Sequence, residues 1–247
     1  MSDQIIGRNP VMEALRSGRP VHKLLVSQGA SKGSVLEILG VARDRRIQVE
    51  EVTRQHLDKL TGSANHQGVV ALAAAREYAE VEDILRSARE RGEDPFIVIL
   101  DEIEDPHNLG AILRTAEAAG VHGVIIPKRR AVGLTPAVAK ASAGAVEYVP
   151  VARVTNLVQA IAELKEAGCW IAGSDGAADQ LVWEADLKGP LGIVIGSEGK
   201  GIGRLLREKC DFLVKFPMRG RIGSLNASVA AALVCYEVVR QRAVTMI

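Results

Sequence analysis

Short apolar runs alternate with segments of helical periodicity along almost the whole chain, and this alternation constrains the fold more than any other feature. In the second part of the chain the apolar runs carry no polar alternation, which is typical of strands in a sheet that is covered on both faces. Strands separated by helices are typical of parallel sheets. The sequence therefore predicts an α/β fold with a mostly parallel sheet.

The first 75 residues form a compact αβ unit in this pattern. Strands are predicted over 22–27, 47–52 and 68–74, and helices over 10–16, 34–45 and 54–60, the last with Thr53 as its N-cap. The polar stretch that follows is interpreted as a linker into a helix at 81–91, with a surface loop inside one domain as the alternative. The predicted domains are a small α/β unit (1–75), a linker and leading helix (76–92) and a larger domain (93–247).

The larger domain contains six predicted strands, over 96–100, 121–126, 146–151, 170–173, 191–195 and 212–216. Its predicted helices cover 111–119, 136–141, 157–167, 202–209 and 225–242. In an open α/β sheet, ligands bind beyond the carboxyl ends of the strands. The functional residues are therefore expected in the segments that follow these strands.

Charge is unevenly distributed, although the whole chain has a formal net charge of only +1. Residues 1–75 contain 10 Lys+Arg and 7 Asp+Glu. The remaining residues contain 21 Lys+Arg and 23 Asp+Glu. Binding of RNA or DNA would therefore need a local basic patch. Aromatic residues make up only 3% of the chain, which argues against a platform that stacks single-stranded bases.

Several other classes of protein and site are not expected. The longest apolar runs are far shorter than a membrane span of ~20 residues, and the first residues lack the regions of a signal peptide. A cytoplasmic protein without membrane contact is therefore expected. Cys169, Cys210 and Cys235 are too widely spaced for a CxxC metal site and are interpreted as buried reduced thiols. No metal-ligand cluster is found, so no metal is expected.

Two segments after predicted strands carry acids, amides and glycines. In the first, Asp105 and Pro106 are typical of a helix N-cap and first helical residue, and Arg114 and Glu117 would share one helical face. A surface pair is the alternative there. In the second, four glycines between Gly196 and 203 would let the backbone approach a ligand, with a tight turn as the alternative. This loop matches neither a P-loop nor GxGxxG, which argues against a nicotinamide-dependent oxidoreductase.

Two further segments are basic or polar. Ser224 is predicted to cap the last helix, whose free N–H groups could bind a carboxylate or hydroxyl; a plain capped helix is the alternative. Arg219 and Arg221, in the preceding loop, are candidate phosphate contacts. The run 128–130, Lys-Arg-Arg, could also bind phosphates. The alternative is that these three side chains form a solvated surface of the protein.

Three of these segments together resemble the motifs of the SpoU (TrmH) family of RNA 2′-O-ribose methyltransferases, in the SPOUT superfamily. The motifs are Asn-Leu-Gly-Ala-Ile-Leu-Arg at 108–114, Gly-Ser-Glu-Gly at 196–199, and Pro-Met followed by Ser-Leu-Asn-Ala-Ser within 217–228. They occur in the family's order, each at a strand end. The segments 7–15, 66–71 and 133–145 are similar to the family members that act on ribosomal RNA.

The resemblance implies a trefoil-knotted C-terminal SPOUT methyltransferase domain and a smaller N-terminal α/β RNA-binding domain. It implies S-adenosyl-L-methionine as the cofactor and a homodimer as the assembly. The implied reaction is methyl transfer to the ribose 2′-hydroxyl of a guanosine in 23S rRNA. A tRNA 2′-O-methyltransferase is the first alternative, and an RNA-binding protein without catalysis is the second.

The resemblance also assigns site residues by position. The implied cofactor-binding residues are Gly173, Gly196, Phe216, Met218 and Leu225. The implied catalytic residues are Asn108, Arg114, Glu198, Ser224 and Asn226. Arg114 is expected to hold a neighbouring phosphate and to stabilise the developing 2′-oxyanion, because a guanidinium rarely acts as a base. Asn108 would orient Arg114 or the RNA, Glu198 would fix its loop or Arg114, and Ser224 and Asn226 would shape the helix N-terminus.

Overall fold

The computed structural model describes residues 2–30, 33–62 and 65–245. The chain divides into two compact units. The first unit comprises Met1–Glu77 and Leu134–Tyr148, and the second unit comprises Tyr78–Gly133 and Val149–Ile247. The segment 134–148, which sequence patterning places inside the larger domain, thus packs with the first unit. The predicted domain boundaries themselves stay a prediction.

The elements of the first unit up to residue 77 are β1 (Ser2–Ile6), α1 (Arg8–Arg16), β2 (Val21–Ser27), α2 (Ser34–Asp44), β3 (Gln48–Val52), α3 (Arg54–Thr61) and β4 (Val69–Ala74). Among the described residues the strand order is β1-β4-β2-β3. Only β2 and β3 pair in parallel, so this sheet is mixed and not mostly parallel. Strand β1 has no counterpart in the sequence prediction, because its short segment is defined only by pairing with the distant β4.

Both faces of the first sheet are covered, because alternate residues of β4 point to opposite sides. Val69, Ala71 and Ala73 pack with the apolar faces of α1 and α2. Val70 packs on the other side with Leu57 of α3. Helix α3 begins where predicted, since the side chain of Thr53 accepts a hydrogen bond from a backbone N–H of its first turn.

From residue 81 onward the elements are α4 (Val81–Arg91), β5 (Phe96–Leu100), α5 (Pro106–Ala118), β6 (Gly123–Pro127), α6 (Pro136–Ala141), β7 (Val151–Val154), α7 (Leu157–Glu166), β8 (Trp170–Ser174), β9 (Gln180–Leu181), β10 (Leu191–Ile195), α8 (Arg204–Arg207), β11 (Phe212–Lys215) and α9 (Ala227–Thr245). All belong to the second unit except α6. Strands β5 and β10 and helices α4 and α6 have the predicted bounds. The short β9 was not predicted.

The second unit is built on one parallel sheet with the order β7-β6-β5-β10-β8-β11-β9. Every residue of the neighbouring strands β5 and β10 is buried, as the unbroken apolar runs predict. Their register pairs Leu100 with Ile195, so both strands end at the same edge of the sheet. The segments that follow them are therefore brought together. The trefoil knot stays a prediction of the family resemblance.

The predicted strand over 146–151 is wrong. A 3-10 helix occupies Ala145–Glu147, and β7 begins only at Val151. A buried apolar pattern does not by itself separate a strand from a helical turn. The side chain of Glu147 is only 2% exposed and forms ion pairs with Arg19 and Arg76, which hold this turn within the first unit.

All three cysteines are free thiols. Cys169 and Cys235 are buried and Cys210 is half-buried; burial raises the pKa of Cys169 and of Cys210 to about 11, so both stay protonated at neutral pH.

In the part of the chain that the structure describes, no helix is both long and apolar enough to cross a membrane.

Candidate functional site

A five-residue segment, 101–105, joins the end of β5 to α5. The carboxylate of Asp105 accepts a 3.0 Å hydrogen bond from the backbone N–H of His107, and Pro106 occupies the first turn, so the predicted cap is confirmed. This start places Asn108 in the first turn of α5, at the carboxyl edge of the sheet.

Three side chains from the three motifs meet beyond β5 and β10. Asn108 donates a 2.9 Å hydrogen bond from Nδ2 to Oε1 of Glu198. Asn226 donates from Nδ2 to Oδ1 of Asn108 at 2.9 Å and also to Oε1 of Glu198. We call these three residues the amide–carboxylate cluster. It joins the starts of α5 and α9 to the glycine-rich loop.

Asn226, and not Ser224, caps helix α9. Its Oδ1 accepts hydrogen bonds from the backbone N–H groups of Ser228 at 2.9 Å and Val229 at 3.3 Å. The predicted cap at Ser224 is therefore wrong. Serine and asparagine are equally good N-caps, and Asn226 takes the position because its amide nitrogen is held by the rest of the cluster.

The glycine-rich loop folds back over its own first residue. A β-carbon on Gly196 would lie 2.1 Å from the carbonyl carbon of Gly201, so no other residue fits there without movement of the loop. The N–H of Gly201 donates to the carbonyl of Ser197 at 2.9 Å. Gly203 donates from its N–H to Oδ2 of Asp101 at 2.8 Å, which ties the loop to the end of β5.

A cavity of about 340 Å³ opens between this loop, the end of β8 and the segment before α9. Six of the predicted site residues line it: Gly196, Glu198, Phe216, Met218, Ser224 and Leu225. Gly173 does not line it and packs beneath it, where a β-carbon would come 2.6 Å from Cδ2 of Leu213. The sequence interpretation missed Asp175, which lines the cavity and pairs with Arg207 at 3.2 Å. Its position after a parallel strand is the signal that could have identified it.

A second cleft of about 180 Å³ adjoins the cavity. The segment after β5 and two members of the cluster contribute to its lining, which comprises Glu102, Ile103, Glu104, Asp105, Asn108, Ser197, Glu198 and Ala227. Glu198 lines both spaces and thus lies between them. Nη1 of Arg130 donates to Glu102 at 2.8 Å, and this hydrogen bond is the main reason that the pKa of Glu102 lies below its usual range.

Arg114 is not part of this assembly. It lies on α5 six residues after Asn108, which places it about 120° away around the helix at 3.6 residues per turn. Its side chain is exposed and lines neither space. Among the residues that the structure describes it forms no hydrogen bond or ion pair, with Glu117 or with any other group. The structure therefore brings together Asn108, Glu198 and Asn226 but leaves Arg114 apart.

Comparison with known proteins identifies the family of the chain. The model of the SpoU rRNA methylase family matches residues 95–236, and the model for the substrate-binding domain of RNA 2′-O-ribose methyltransferases matches residues 4–79. A Bacillus subtilis (strain 168) protein, named as a member of the TrmH family of tRNA/rRNA methyltransferases, is 53% identical over 240 residues. That alignment covers 97% of this chain and 96% of the relative.

Two similar solved structures hold S-adenosylmethionine (AdoMet). The SpoU methyltransferase AviRb of Streptomyces viridochromogenes, in complex with the cofactor, is 28% identical, with a TM-score of 0.82 over 98% of this chain and 91% of that chain. The AdoMet-bound rRNA methyltransferase of Sinorhizobium meliloti is 27% identical, with a TM-score of 0.79 over 97% of this chain and 87% of that chain. The chain therefore belongs to the SpoU (TrmH) family of RNA methyltransferases, which have the SPOUT fold and use S-adenosylmethionine.

Proposed function

We propose that this methyltransferase modifies the ribose 2′-hydroxyl of a guanosine in 23S rRNA. The observation that carries the proposal is the amide–carboxylate cluster, whose Glu198 lines both a ligand-sized cavity and an adjoining cleft. A donor molecule in the cavity and a nucleotide in the cleft would then face each other across Glu198. Such alignment of two reactants can lower a barrier by ~7–11 kcal/mol.

The 340 Å³ cavity fits the cofactor in size and in chemistry. Ligand pockets usually enclose ~300–1,000 Å³. The side chains of Ile202, Phe216 and Leu225 offer apolar surface for an adenine ring, and the backbone of the glycine-rich loop offers hydrogen-bonding groups. When bound, the cofactor supplies an electrophilic methyl group on its sulfonium. The residues proposed to hold it are Gly196, Phe216, Met218 and Leu225.

The cluster is proposed to shape the acceptor side. Asn108 and Asn226 bond to one oxygen of Glu198, and this bonding holds the carboxylate at the boundary between cavity and cleft. Arg114 is proposed to hold a phosphate and to stabilise the 2′-oxyanion as it forms. Because Arg114 lies apart from the cluster, this role requires that RNA or a second copy of the chain bring its guanidinium to the acceptor.

Ribosomal RNA is the substrate that the comparisons favour. The Sinorhizobium meliloti enzyme, which is described as an rRNA methyltransferase, matches 97% of this chain, including the first unit. The substrate-binding model covers residues 4–79, where cations exceed acids. The name of the Bacillus subtilis relative admits tRNA as well, so tRNA is retained as the rival substrate.

A homodimer in the cytoplasm is part of the proposal. Helix α9 exposes three large apolar side chains at helical spacing, Val229, Leu233 and Tyr236, which are 45%, 46% and 52% exposed. An apolar stripe of this kind is typical of a protein–protein interface. Size-exclusion chromatography with light-scattering detection measures the mass of the variant Leu233→Glu. If the stripe forms the dimer interface, this variant should have the mass of a monomer. A mass equal to that of the wild type would show that the interface lies elsewhere or that no dimer forms.

The test of the reaction uses tritiated S-adenosylmethionine with unmodified 23S rRNA, 16S rRNA and bulk tRNA from cells that lack this gene. The labelled RNA is digested and the methylated nucleoside identified. We expect 2′-O-methylguanosine in 23S rRNA. Label in tRNA alone would overturn the substrate, and label on a base would overturn the 2′-O assignment.

A further inference from the structure

The carboxylate of Glu102 lies between two exposed cations that come from different loops. Nη1 of Arg130 donates to one carboxylate oxygen at 2.8 Å, and Nζ of Lys200 lies 3.4 Å from the other. Arg130 ends the basic run 128–130 after β6, and Lys200 belongs to the glycine-rich loop after β10. We call Glu102, Arg130 and Lys200 the rim group.

The rim group borders both spaces of the site. Glu102 lines the cleft and Lys200 lines the cavity. Each loop is also tied to the segment after β5 by its backbone, because the N–H of Val132 donates to the carbonyl of Ile103 at 3.0 Å and Gly203 donates to Asp101. The cationic groups are therefore held at defined places beside the cleft.

The rim group itself carries a net charge of +1 and has spare hydrogen-bond donors, although Glu104 also lies near enough to Arg130 to raise its pKa. Two cations share one carboxylate, and the side chains of Arg130 and Lys200 are 76% and 82% exposed. A guanidinium has five N–H donors, so most donors of Arg130 remain available. Exposed ion pairs contribute little to folding stability, so stability does not account for this arrangement.

We propose that the rim group binds a backbone phosphate of the RNA next to the methylated nucleotide. Arg130 and Lys200 contact the phosphate, and Glu102 is a positioning residue that holds the two cations at the spacing of its own oxygens. The inference rests on the proposed function, since it takes RNA as the substrate. Arg91 provides a matched control: it has the same charge and is exposed, but it ends α4 before β5 begins, at the opposite edge of the sheet from the cleft.

The first experiment measures binding of full-length RNA to the full-length protein by filter retention at several NaCl concentrations. The RNA is whichever of 23S rRNA, 16S rRNA or bulk tRNA the wild-type protein methylates. We expect Arg130→Ala and Lys200→Ala each to weaken binding about five- to tenfold. The double variant loses one phosphate contact and should therefore reduce the slope of log K against log [NaCl] by ~0.7–0.9. Arg91→Ala should change affinity less than about twofold, because this side chain lies away from the cleft. Equal losses for Arg91→Ala and Arg130→Ala would overturn the proposal.

A second variant separates positioning from simple charge. Removal of a carboxylate from an RNA-binding surface should strengthen binding if only net charge matters. If Glu102 positions the cations, Glu102→Gln instead weakens binding about threefold or more, and it adds little further loss in the Arg130→Ala/Lys200→Ala background. Tighter binding by Glu102→Gln would overturn the positioning role.

The two proposals fail in different ways. A wild-type protein that methylates none of the three RNAs overturns the proposed function, and the inference with it. A wild-type protein that methylates RNA while all rim-group variants bind that RNA normally overturns only the inference. The affinity of Arg130→Ala for S-adenosylhomocysteine, measured by calorimetry, should equal that of the wild type and shows that the cavity is intact.

Discussion

Asn226 donates a 2.9 Å hydrogen bond from its side-chain amide to the side-chain oxygen of Asn108, which lies 118 positions earlier in the chain. The oxygen of the same Asn226 amide caps helix α9. One side chain therefore serves helix stability and site geometry through different atoms. Substitutions can separate the two contributions.

We expect Asn226→Ala to lower the free energy of unfolding by about 1 kcal/mol, because α9 loses its cap. Asn226→Asp keeps the capping oxygen but loses the donors to Asn108 and Glu198 and adds a carboxylate beside Glu198. It should therefore keep the capping hydrogen bonds of α9 but lose about tenfold or more in kcat/KM, since a hydrogen bond to a charged group contributes ~1.5–3 kcal/mol. Ser224→Ala should unfold like the wild type, and a clear loss of its stability would count against the cap at Asn226.

The packing at Gly196 predicts a steric loss of cofactor binding. A β-carbon there meets backbone atoms of Gly201 and Ile202 within 2.3 Å. Overpacking costs ~1–3 kcal/mol, so Gly196→Ala should weaken S-adenosylmethionine binding tenfold or more in calorimetry. Gly176 lines the same cavity and has open space for a β-carbon. Gly176→Ala is the control and should bind normally; equal losses would show that any added methyl group at the cavity is harmful.

The buried carboxylate of Glu147 should be essential to the first unit. Glu147→Ala leaves the half-buried Arg19 and Arg76 without this partner, and breaking a buried ion pair costs ~3–5 kcal/mol. Hydrogen exchange followed by mass spectrometry should show faster exchange in β1, β4 and 142–148, with the sheet of the second unit unchanged. Glu163→Ala, at an exposed position on α7, should exchange like the wild type. Unchanged exchange in Glu147→Ala would mean that apolar packing alone holds the segment.

The environment of the His122 ring predicts that the folded protein loses stability in weak acid. Its ring is buried, Nδ1 accepts a 3.0 Å hydrogen bond from the N–H of Phe96, and Nε2 lies 3.0 Å from Glu93. Desolvation lowers the pKa of His122 below its ordinary value of 6.5, despite the opposing effect of Glu93. The unfolded chain therefore takes up the proton first as the pH falls. The stabilisation that the neutral His122 ring contributes is complete above pH 6.5, and it decreases as the pH falls from there towards the folded-state pKa.

Urea unfolding of the wild type and of His122→Gln between pH 5 and 8 tests this prediction. We expect His122→Gln to be less stable at pH 8, with a smaller loss of stability on acidification than the wild type. Parallel curves for the two proteins would show that other groups cause the acid sensitivity.

Local patterns predicted the elements whose signal is local. The apolar runs of five residues in β5 and in β10 predict buried parallel strands, and the Asp105-Pro106 pair predicts the start of α5. The grouping of Asn108, Glu198 and Asn226 came from the family resemblance, because spacing along the chain does not show that three segments converge. Once the strand order is known, the convergence follows from the shared edge of β5 and β10.

What the sequence did not predict depends on distant partners. Ser224 and Asn226 are equally good caps by residue type, and only the bond to Asn108 distinguishes them. The apolar residues around Val146 resemble a strand until Glu147 is seen to pair with Arg19, 128 positions away. Likewise, the position of Arg114 outside the cluster follows from the rotation of α5, which a motif match does not contain.

The placement of 134–148 has a consequence for the order in which the protein is made. During synthesis the chain emerges from its N-terminus, and domains generally fold as units. The first unit, however, lacks the carboxylate that pairs with both Arg19 and Arg76 until Glu147 has been added. A nascent chain that ends anywhere between Glu77 and Leu134 therefore exposes an unfinished substrate-binding unit. This unit is completed only after β5, α5 and β6, which belong to the second unit, have been translated.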